Sequence, residues 1–304
     1  MSAPDQAATR AGASDETVSE AGIRYPFLLP ASRSRRAVKV GLGRVVLRMF
    51  PGRARRLLHG SDPMTFSFTD RLIVAGWVSR ATADDWTTLS DLHQRFWAGR
   101  GGAMFNTAPE IAQRFDDWFL RQHARPLDIL QGELTGHQCH AMCEIGSGNG
   151  LALEYASKML PTVPRFIGVD INAQATRRNT ERWQHNPRIE FAHADAVDWV
   201  EQNATAGWAY FSNAGVLEYL PQDKVARLYR HTAELGGPAW WILTEPVHSE
   251  YDLVTETESR PHGPEFSFCH NHPFLLRQAG WEIIEEFETE TAGMRFLTVC
   301  ARTP

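Results

Sequence analysis

The sequence contains few cysteines and lacks any long apolar stretch. Its four cysteines show no paired spacing, which argues against a disulfide-stapled extracellular fold and fits a reducing cytoplasm. No stretch approaches the roughly 20 uncharged apolar residues that span a bilayer. The N-terminal region has acidic and small polar residues where a signal peptide needs an apolar run. We therefore expect a cytoplasmic protein.

Acidic residues are absent from one segment that is rich in positive charge. Residues 33–56 hold nine Lys or Arg, while the whole chain has a net charge of −5, so the remainder carries about −14. This balance argues against a nucleic-acid-binding protein. The basic arm, residues 33–58, is predicted to form a short amphipathic helix pair packed by its Val and Leu side chains. A weak, salt-sensitive contact with an anionic membrane surface is the alternative.

Composition and periodicity divide the chain into three parts. Residues 1–22 are small and polar and are predicted to be a disordered tail. Residues 23–135 show helical spacing, as at Leu89, Leu92 and Phe96, and are predicted to form a helical N-terminal cap that includes the basic arm. Tryptophans in this cap either line an aromatic pocket or cover the neighbouring domain. Residues 136–304 alternate short apolar runs with helices, which indicates a parallel α/β sheet.

The apolar runs predict a seven-stranded sheet. The predicted strands are 140–145, 165–169, 188–192, 207–212, 239–244, 281–288 and 294–302. The last two are joined by a short turn and must pair antiparallel, because a parallel crossover needs about a dozen residues. The predicted fold class is therefore α/β, with a doubly wound, mostly parallel sheet whose last strand is antiparallel, plus the helical cap.

A glycine-rich turn follows the first predicted strand. The sequence from Glu144 to Gly150 is EIGSGNG, and alternate glycines let the backbone approach a ligand closely at the start of a helix. Asp170 ends the second strand, where an acid can accept hydrogen bonds from ribose hydroxyls. Asp195 ends the third strand and is expected near an adenine edge. The spacing differs from the G-x-G-x-x-G of dinucleotide enzymes, and Glu144 suits an amino group better than a pyrophosphate.

With these motifs, the chain from about 140 to 302 resembles the class I S-adenosylmethionine-dependent methyltransferases. The resemblance implies S-adenosyl-L-methionine as cofactor, with its methionine part over the glycine turn and its amino group at Glu144. It also implies ribose at Asp170, adenine against Ile171, Asp195 and Ala196, and the sulfonium beside Asn213 and Ala214. The cofactor contacts expected from this family are Glu144, Gly146, Ser147, Gly148, Gly150, Asp170, Ile171, Asp195, Ala196, Asn213 and Ala214.

The methyl acceptor is less clearly indicated. The tetrapeptide [DN]-P-P-[YF], which marks methyltransferases of exocyclic or amide nitrogens, is replaced here by Ser-Asn-Ala-Gly at residues 212–215, so a nucleic-acid acceptor is disfavoured. In the family, the corner after the fifth strand faces the donor methyl. His248 at this corner is therefore the predicted general base, with Glu218 and His270 next in line. No metal site is expected. The Cys and His residues of 137–143 lead directly into a strand, where alternate side chains point to opposite faces and cannot converge on one metal ion.

These observations predict a methyltransferase that O-methylates a small-molecule hydroxyl, on a saccharide or a specialised metabolite. N- or C-methylation of a small aromatic or amine is one alternative. A non-catalytic protein that docks through its basic arm is another. The sequence does not determine the oligomeric state.

Overall fold

A computed structural model describes residues 29, 32–58, 60, 62–78, 86–262 and 265–304. The predicted disordered tail, residues 1–22, lies outside the described residues. The remaining chain forms a helical section, then a sheet flanked by helices on both faces.

Within the described residues, the helical section contains seven α-helices and a π-helical segment, Phe115–His123, which joins the last two of them. Pro51 and Pro109 begin two of the helices, at the position where a missing N–H costs nothing. The basic arm forms the predicted helix pair. The helices are α1 (Arg33–Met49), α2 (Pro51–Leu58), α3 (Phe68–Val78), α4 (Thr87–Ala98), α5 (Arg100–Phe105), α6 (Pro109–Arg114) and α7 (Arg125–Glu133).

The sheet confirms the predicted fold class. Its seven strands run in the order β3-β2-β1-β4-β5-β9-β8, with β9 antiparallel between β5 and β8. The strands of the sheet are β1 (Ala141–Ile145), β2 (Phe166–Asp170), β3 (Ile189–His193), β4 (Trp208–Asn213), β5 (Trp240–Val247), β8 (Glu282–Thr291) and β9 (Met294–Arg302). The flanking helices are α8 (Leu151–Met159), α9 (Ala173–Trp183), α10 (Ala196–Asn203), α11 (Gln222–Glu234) and α12 (His272–Gln278).

Two elements of this domain were not predicted. Helix α10 is short, and a small hairpin of β6 (Arg260–His262) and β7 (Ser267–Cys269) lies within the connection after β5. Strands of three residues are too short to show an alternating pattern, so the sequence of this connection carries no strand signal.

The central strands are buried on both faces, which explains their nearly continuous apolar sequences. In β1, Met142 packs into the cluster on one face and Cys143 into the cluster on the other. A third cluster lies inside the helical section, where Leu92 and Phe96 of α4 are fully buried. The cap therefore has its own core.

Hydrogen bonds dock the cap on the carboxyl edge of the sheet. The Asn172 side-chain amide, just after β2, donates to the carbonyls of Trp97 and Gly99 at 2.8 and 2.9 Å. Gln94 on α4 donates to Asp195 after β3 at 3.0 Å. Helix α4 thus lies across the ends of β2 and β3.

Helices α1 and α3 cross in close contact at Gly43 of α1 and Gly76 of α3, and this contact can be tested by substitution. A Cβ on Gly43 would lie 2.4 Å from the Leu72 carbonyl oxygen, whereas a Cβ on Gly41 would meet nothing within 4 Å. We expect Gly43→Ala to destabilise the protein by about 1–3 kcal/mol through backbone overlap. Gly41→Ala is the matched control in the same helix, and its better helix propensity should stabilise by up to about 1 kcal/mol. Denaturant unfolding measures both, and equal stability would contradict the close crossing.

Candidate active site

The glycine turn adopts a conformation that L side chains rarely accept. Gly146, Gly148 and Gly150 have φ values of 71°, 50° and 73°. The Asp170 carboxylate fixes the turn, because its Oδ2 accepts a hydrogen bond from the Gly148 N–H at 2.8 Å while Oδ1 accepts one from the Asn172 N–H at 2.7 Å. The end of β2 therefore holds the turn that follows β1.

A cavity of about 760 Å³ lies between this turn and the cap. Its volume is within the range of small-molecule sites. Ten of the eleven residues predicted to contact the cofactor line its wall. The exception is Gly150, where a Cβ would meet Trp183 at 2.7 Å and Asn179 at 3.1 Å, so this glycine shapes the turn from behind.

Asp195 caps helix α10 as well as facing the cavity. Its Oδ1 accepts from the backbone N–H groups of Val197 and Asp198 at 3.0 and 3.3 Å. Its Oδ2 accepts from Gln94 and lies 3.6 Å from the Lys224 ammonium. The carboxylate is thus oriented by α10 and covered by the cap.

Several buried polar atoms on the cavity wall have no hydrogen-bond partner among the described residues. Buried polar groups in native proteins are normally paired, so these atoms mark positions where a ligand's polar groups fit. Those next to the glycine turn suit the amino and carboxylate groups of a methionine moiety. The five atoms are Glu144 Oε2, Ser147 Oγ, Asn213 Oδ1, His123 Nδ1 and His262 Nε2.

Burial and mutual repulsion raise the pKa values of the acidic groups at the turn. The pKa of Glu144 lies well above its usual value, first because of burial and then because of the Asp170 charge. Burial also raises the pKa of Asp170, although the hydrogen bonds from the Asn172 and Gly148 N–H groups act to lower it. A cationic amino group at Glu144 would favour the ionised carboxylate and offset this cost.

Three more carboxyl groups cluster where β4 ends. Glu245 is fully buried and accepts hydrogen bonds from the Ser212 hydroxyl at 2.5 Å and the Val216 N–H at 3.1 Å, and burial raises its pKa to about 7. Burial and the charges of Glu265 and Glu245 raise the pKa of Glu218 to about 8. Glu218 and Glu265 line the cavity. Glu218 is therefore largely protonated at neutral pH and suits a hydrogen-bond donor better than a base.

The structure brings one predicted histidine to the cavity and keeps the other away from it. His248 lines the wall and stacks on His262, with ring centroids 4.5 Å apart. Its Nδ1 accepts from the Glu250 N–H at 3.2 Å, so in the neutral ring Nε2 carries the proton.

His270 does not line the cavity, which corrects its place among the candidate bases. Its Nδ1 bonds the Ser259 hydroxyl at 2.6 Å and its Nε2 the Leu217 carbonyl at 3.1 Å. Both nitrogens are occupied in a fully buried ring, and burial lowers its pKa to about 4. His270 supports the loop after β4.

A histidine that sequence reasoning missed, His123, lies on the cavity wall at the end of the π-helical segment. Its Nε2 is 3.3 Å from the Thr291 hydroxyl, which donates its own proton to Gln122. Nε2 is therefore the protonated nitrogen, and Nδ1 keeps a lone pair. Burial lowers the pKa of His123 to about 4, and the nearby Asn213 side chain acts against this shift. No motif surrounds this residue, so the sequence offers no signal for it.

The acceptor side of the cavity is mostly aromatic and comes largely from the cap. Trp97 packs against Tyr219 at 5.0 Å, and the Arg114 guanidinium lies 4.3 Å from the Trp118 ring centroid. The aromatic residues of the wall are Trp97, Phe105, Phe115, Trp118, Phe119, Tyr219, Phe268 and Phe296. Among the described residues, no group of three or more His, Cys, Asp or Glu side chains is arranged to hold a metal ion.

Comparisons with known proteins agree with this geometry. Residues 142–238 match the family model of a methyltransferase domain, which covers the glycine turn and β1 to β4. Magnesium protoporphyrin IX methyltransferase from Synechocystis PCC 6803, solved with bound SAM, has a similar fold, with a TM-score of 0.50 and 14% identity over 71% of this chain and 97% of that one. N-methyltransferase NodS from Bradyrhizobium japonicum WM9, solved with S-adenosyl-L-homocysteine, aligns with a TM-score of 0.45 and 16% identity over 66% and 94%. No curated protein sequence matches the chain.

The domain that begins at β1 is a class I, Rossmann-like methyltransferase domain. The chain thus contains a methyltransferase domain of the S-adenosylmethionine-dependent type, and the cofactor of that domain is S-adenosyl-L-methionine.

The raised pKa of Glu144 gives a stability prediction. An acid with a raised native pKa stabilises the fold below its unfolded pKa, and this contribution is lost as pH rises towards the native pKa. Thermal melts of cofactor-free protein between about pH 5 and 8 should therefore show Glu144→Gln gaining stability over wild type as pH rises. Exposed Glu181 provides the control, since Glu181→Gln should leave the pH dependence unchanged. A constant difference between Glu144→Gln and wild type would contradict the raised pKa.

Asp170 gives a binding prediction. Asp170→Ala removes both the support of the glycine turn and the acceptor expected for ribose hydroxyls, so affinity for S-adenosylmethionine should fall roughly 10- to 100-fold. Titration calorimetry measures the effect. Asp198→Ala, at an exposed acid away from the cavity wall, should bind normally. Unaltered affinity in Asp170→Ala would refute the assignment of the ribose site.

Proposed function

We propose that this methyltransferase transfers the methyl group to a hydroxyl of a small molecule held between the sheet and the helical cap. The enclosed cavity supports a small acceptor, since its wall is formed by the cap on one side and the glycine turn on the other. The aromatic residues of the cap favour an acceptor with an apolar or aromatic body. A nucleic-acid acceptor finds no support here, because the part of the wall formed by the cap is aromatic rather than strongly basic.

One observation supports the inference that the acceptor is a hydroxyl: Nδ1 of His123, which lies beside Asn213, is unpaired. Both residues line the cavity, and Asn213 belongs to the loop expected near the sulfonium. When bound, S-adenosylmethionine supplies an electrophilic methyl group. An alcohol is a poor nucleophile until its proton begins to leave, so a neutral imidazole with a free lone pair is the group that such a reaction needs.

His123 is held for this role by its neighbours. Thr291 accepts from Nε2 and is itself fixed by Gln122, so the ring keeps one tautomer. The Phe296 ring, 4.7 Å away between centroids, restricts its orientation. Proton transfer from the acceptor to Nδ1 would give an imidazolium that the Asn213 side chain stabilises. We therefore propose His123 as general base in place of His248, whose protonated Nε2 suits hydrogen-bond donation to the acceptor.

An amine acceptor is the second candidate, and the carboxyl groups of Glu218 and Glu265 favour it. Tyr219 donates to Glu265 at 3.2 Å, and burial raises the pKa of both carboxyls. A protonated amine would favour their ionised forms. Incubation of the enzyme and labelled cofactor with metabolite extracts of the source cells, followed by identification of the methylated product, separates the two candidates. An O-methylated product supports the proposal, and an N-methylated one replaces it.

A cytoplasmic location remains part of the proposal. The four cysteines, all buried and free, fit a reducing compartment. Among the described residues, no helix is long and apolar enough to cross a membrane.

Two variants test the base. His123→Ala should lower turnover by about 10²–10⁴-fold, the usual contribution of a positioned base, while affinity for S-adenosylmethionine stays within a fewfold. His248→Ala, at another histidine on the wall of the same cavity, is the matched control and should retain turnover within about tenfold. Because the pKa of His123 is lowered to about 4, wild-type turnover should stay level as pH falls from neutral towards that value. The reverse ranking of the two variants would restore His248 as the base.

A further inference from the structure

Helix α1 has two separate apolar faces, and only one of them is packed. The inner face includes Gly43 and Leu47 and lies against α3. The outer face is a line of exposed apolar side chains spaced four, three and four residues apart, which places them on one side of the helix. Phe50 and Phe68, 45% and 75% exposed, extend this line. We name this surface the outer stripe, and its other members are Val38 (63% exposed), Leu42 (51%), Val45 (51%) and Met49 (65%).

Phe68 makes the outer stripe a continuous surface across two helices. Although it belongs to α3, it lines one shallow groove together with Val38 and Leu42 of α1. Contiguous exposed apolar surface of this kind is uncommon on a protein without an interaction partner there. Packing of the cap does not explain it, because the cap core uses the opposite face of α1.

Positive charge borders the outer stripe. Helical geometry puts Arg35 on one side of it and Arg48 on the other, and both are exposed. Residues 33–56 contain nine basic residues and no acid. Asp70 pairs with Arg53, at 2.6 Å between Oδ1 and Nε, and so neutralises one of these charges. Arg35, Arg48 and Arg55 are exposed on this arm, in a chain whose other parts are acidic.

We propose that the outer stripe is a docking surface for an anionic lipid bilayer. Apolar side chains in line along a helix can enter the boundary between headgroups and acyl chains, while flanking arginines contact lipid phosphates. A second copy of the chain fits less well, because a symmetric contact would bring two strongly basic arms together. Nucleic acid would use the charges but not the apolar line.

Vesicle co-sedimentation of the full chain tests the proposal. Wild type should bind vesicles that contain roughly one third phosphatidylglycerol at about 0.1 M salt, and binding should weaken strongly at about 1 M salt or with pure phosphatidylcholine. The double variant Leu42→Ser/Met49→Ser should bind about tenfold or more weakly, because two apolar side chains no longer enter the bilayer. Both residues are exposed, and unchanged affinity for S-adenosylmethionine verifies the fold.

Val254→Ser is the matched control, since Val254 is 90% exposed and lies outside the basic arm. It should bind vesicles as wild type does. Absence of wild-type binding to anionic vesicles at low salt would overturn the proposal. Equal binding by the double variant would overturn it too, as would binding to duplex DNA in preference to vesicles.

Discussion

The hydrogen bonds at the end of β2 connect the three parts on which the site depends. Asp170 holds the glycine turn through Gly148, and the same carboxylate holds the backbone of Asn172. The Asn172 side chain then holds the cap through the carbonyls of Trp97 and Gly99. A chain of hydrogen bonds thus connects Asp170, where a ligand can bind, to the part of the cap that forms the cavity wall. This arrangement places the glycine turn and the cap on the wall of one cavity.

Several acidic side chains are buried at the wall of this cavity, and their desolvation lowers the stability of the folded protein. Burial raises the pKa values of Glu144 and Glu218 on this wall and of the neighbouring Glu245, so the protein tolerates carboxyl groups where water is scarce. Such perturbed groups are typical of functional sites, where a ligand's charges offset the cost. Glu245 has a structural role in addition, because it ties the loop after β4 to the end of β4 through Ser212 and Val216.

The cap has two surfaces with different chemistry. Its inner surface supplies aromatic side chains and His123 to the cavity, while its outer surface carries the basic arm and the outer stripe. Helix α4 belongs to the first and α1 to the second, and α3 lies between them. An acceptor with an apolar body would suit the inner surface, and the proposed bilayer contact would hold the outer surface near a source of apolar molecules.

The sequence by itself determined where the sheet's seven strands lie along the chain and that the last two pair antiparallel, because burial on both faces leaves continuous apolar runs and the short final turn forces antiparallel pairing. It also located the glycine turn and the acids at the strand ends, since these motifs are local. The tertiary structure alone decided which histidines reach the cavity. His123 arrives there from the cap, and His270 is enclosed by Ser259 and Leu217, both through packing between residues distant in sequence. Helical periodicity likewise cannot distinguish the packed face of α1 from the exposed one, because both are apolar and only contact with α3 separates them.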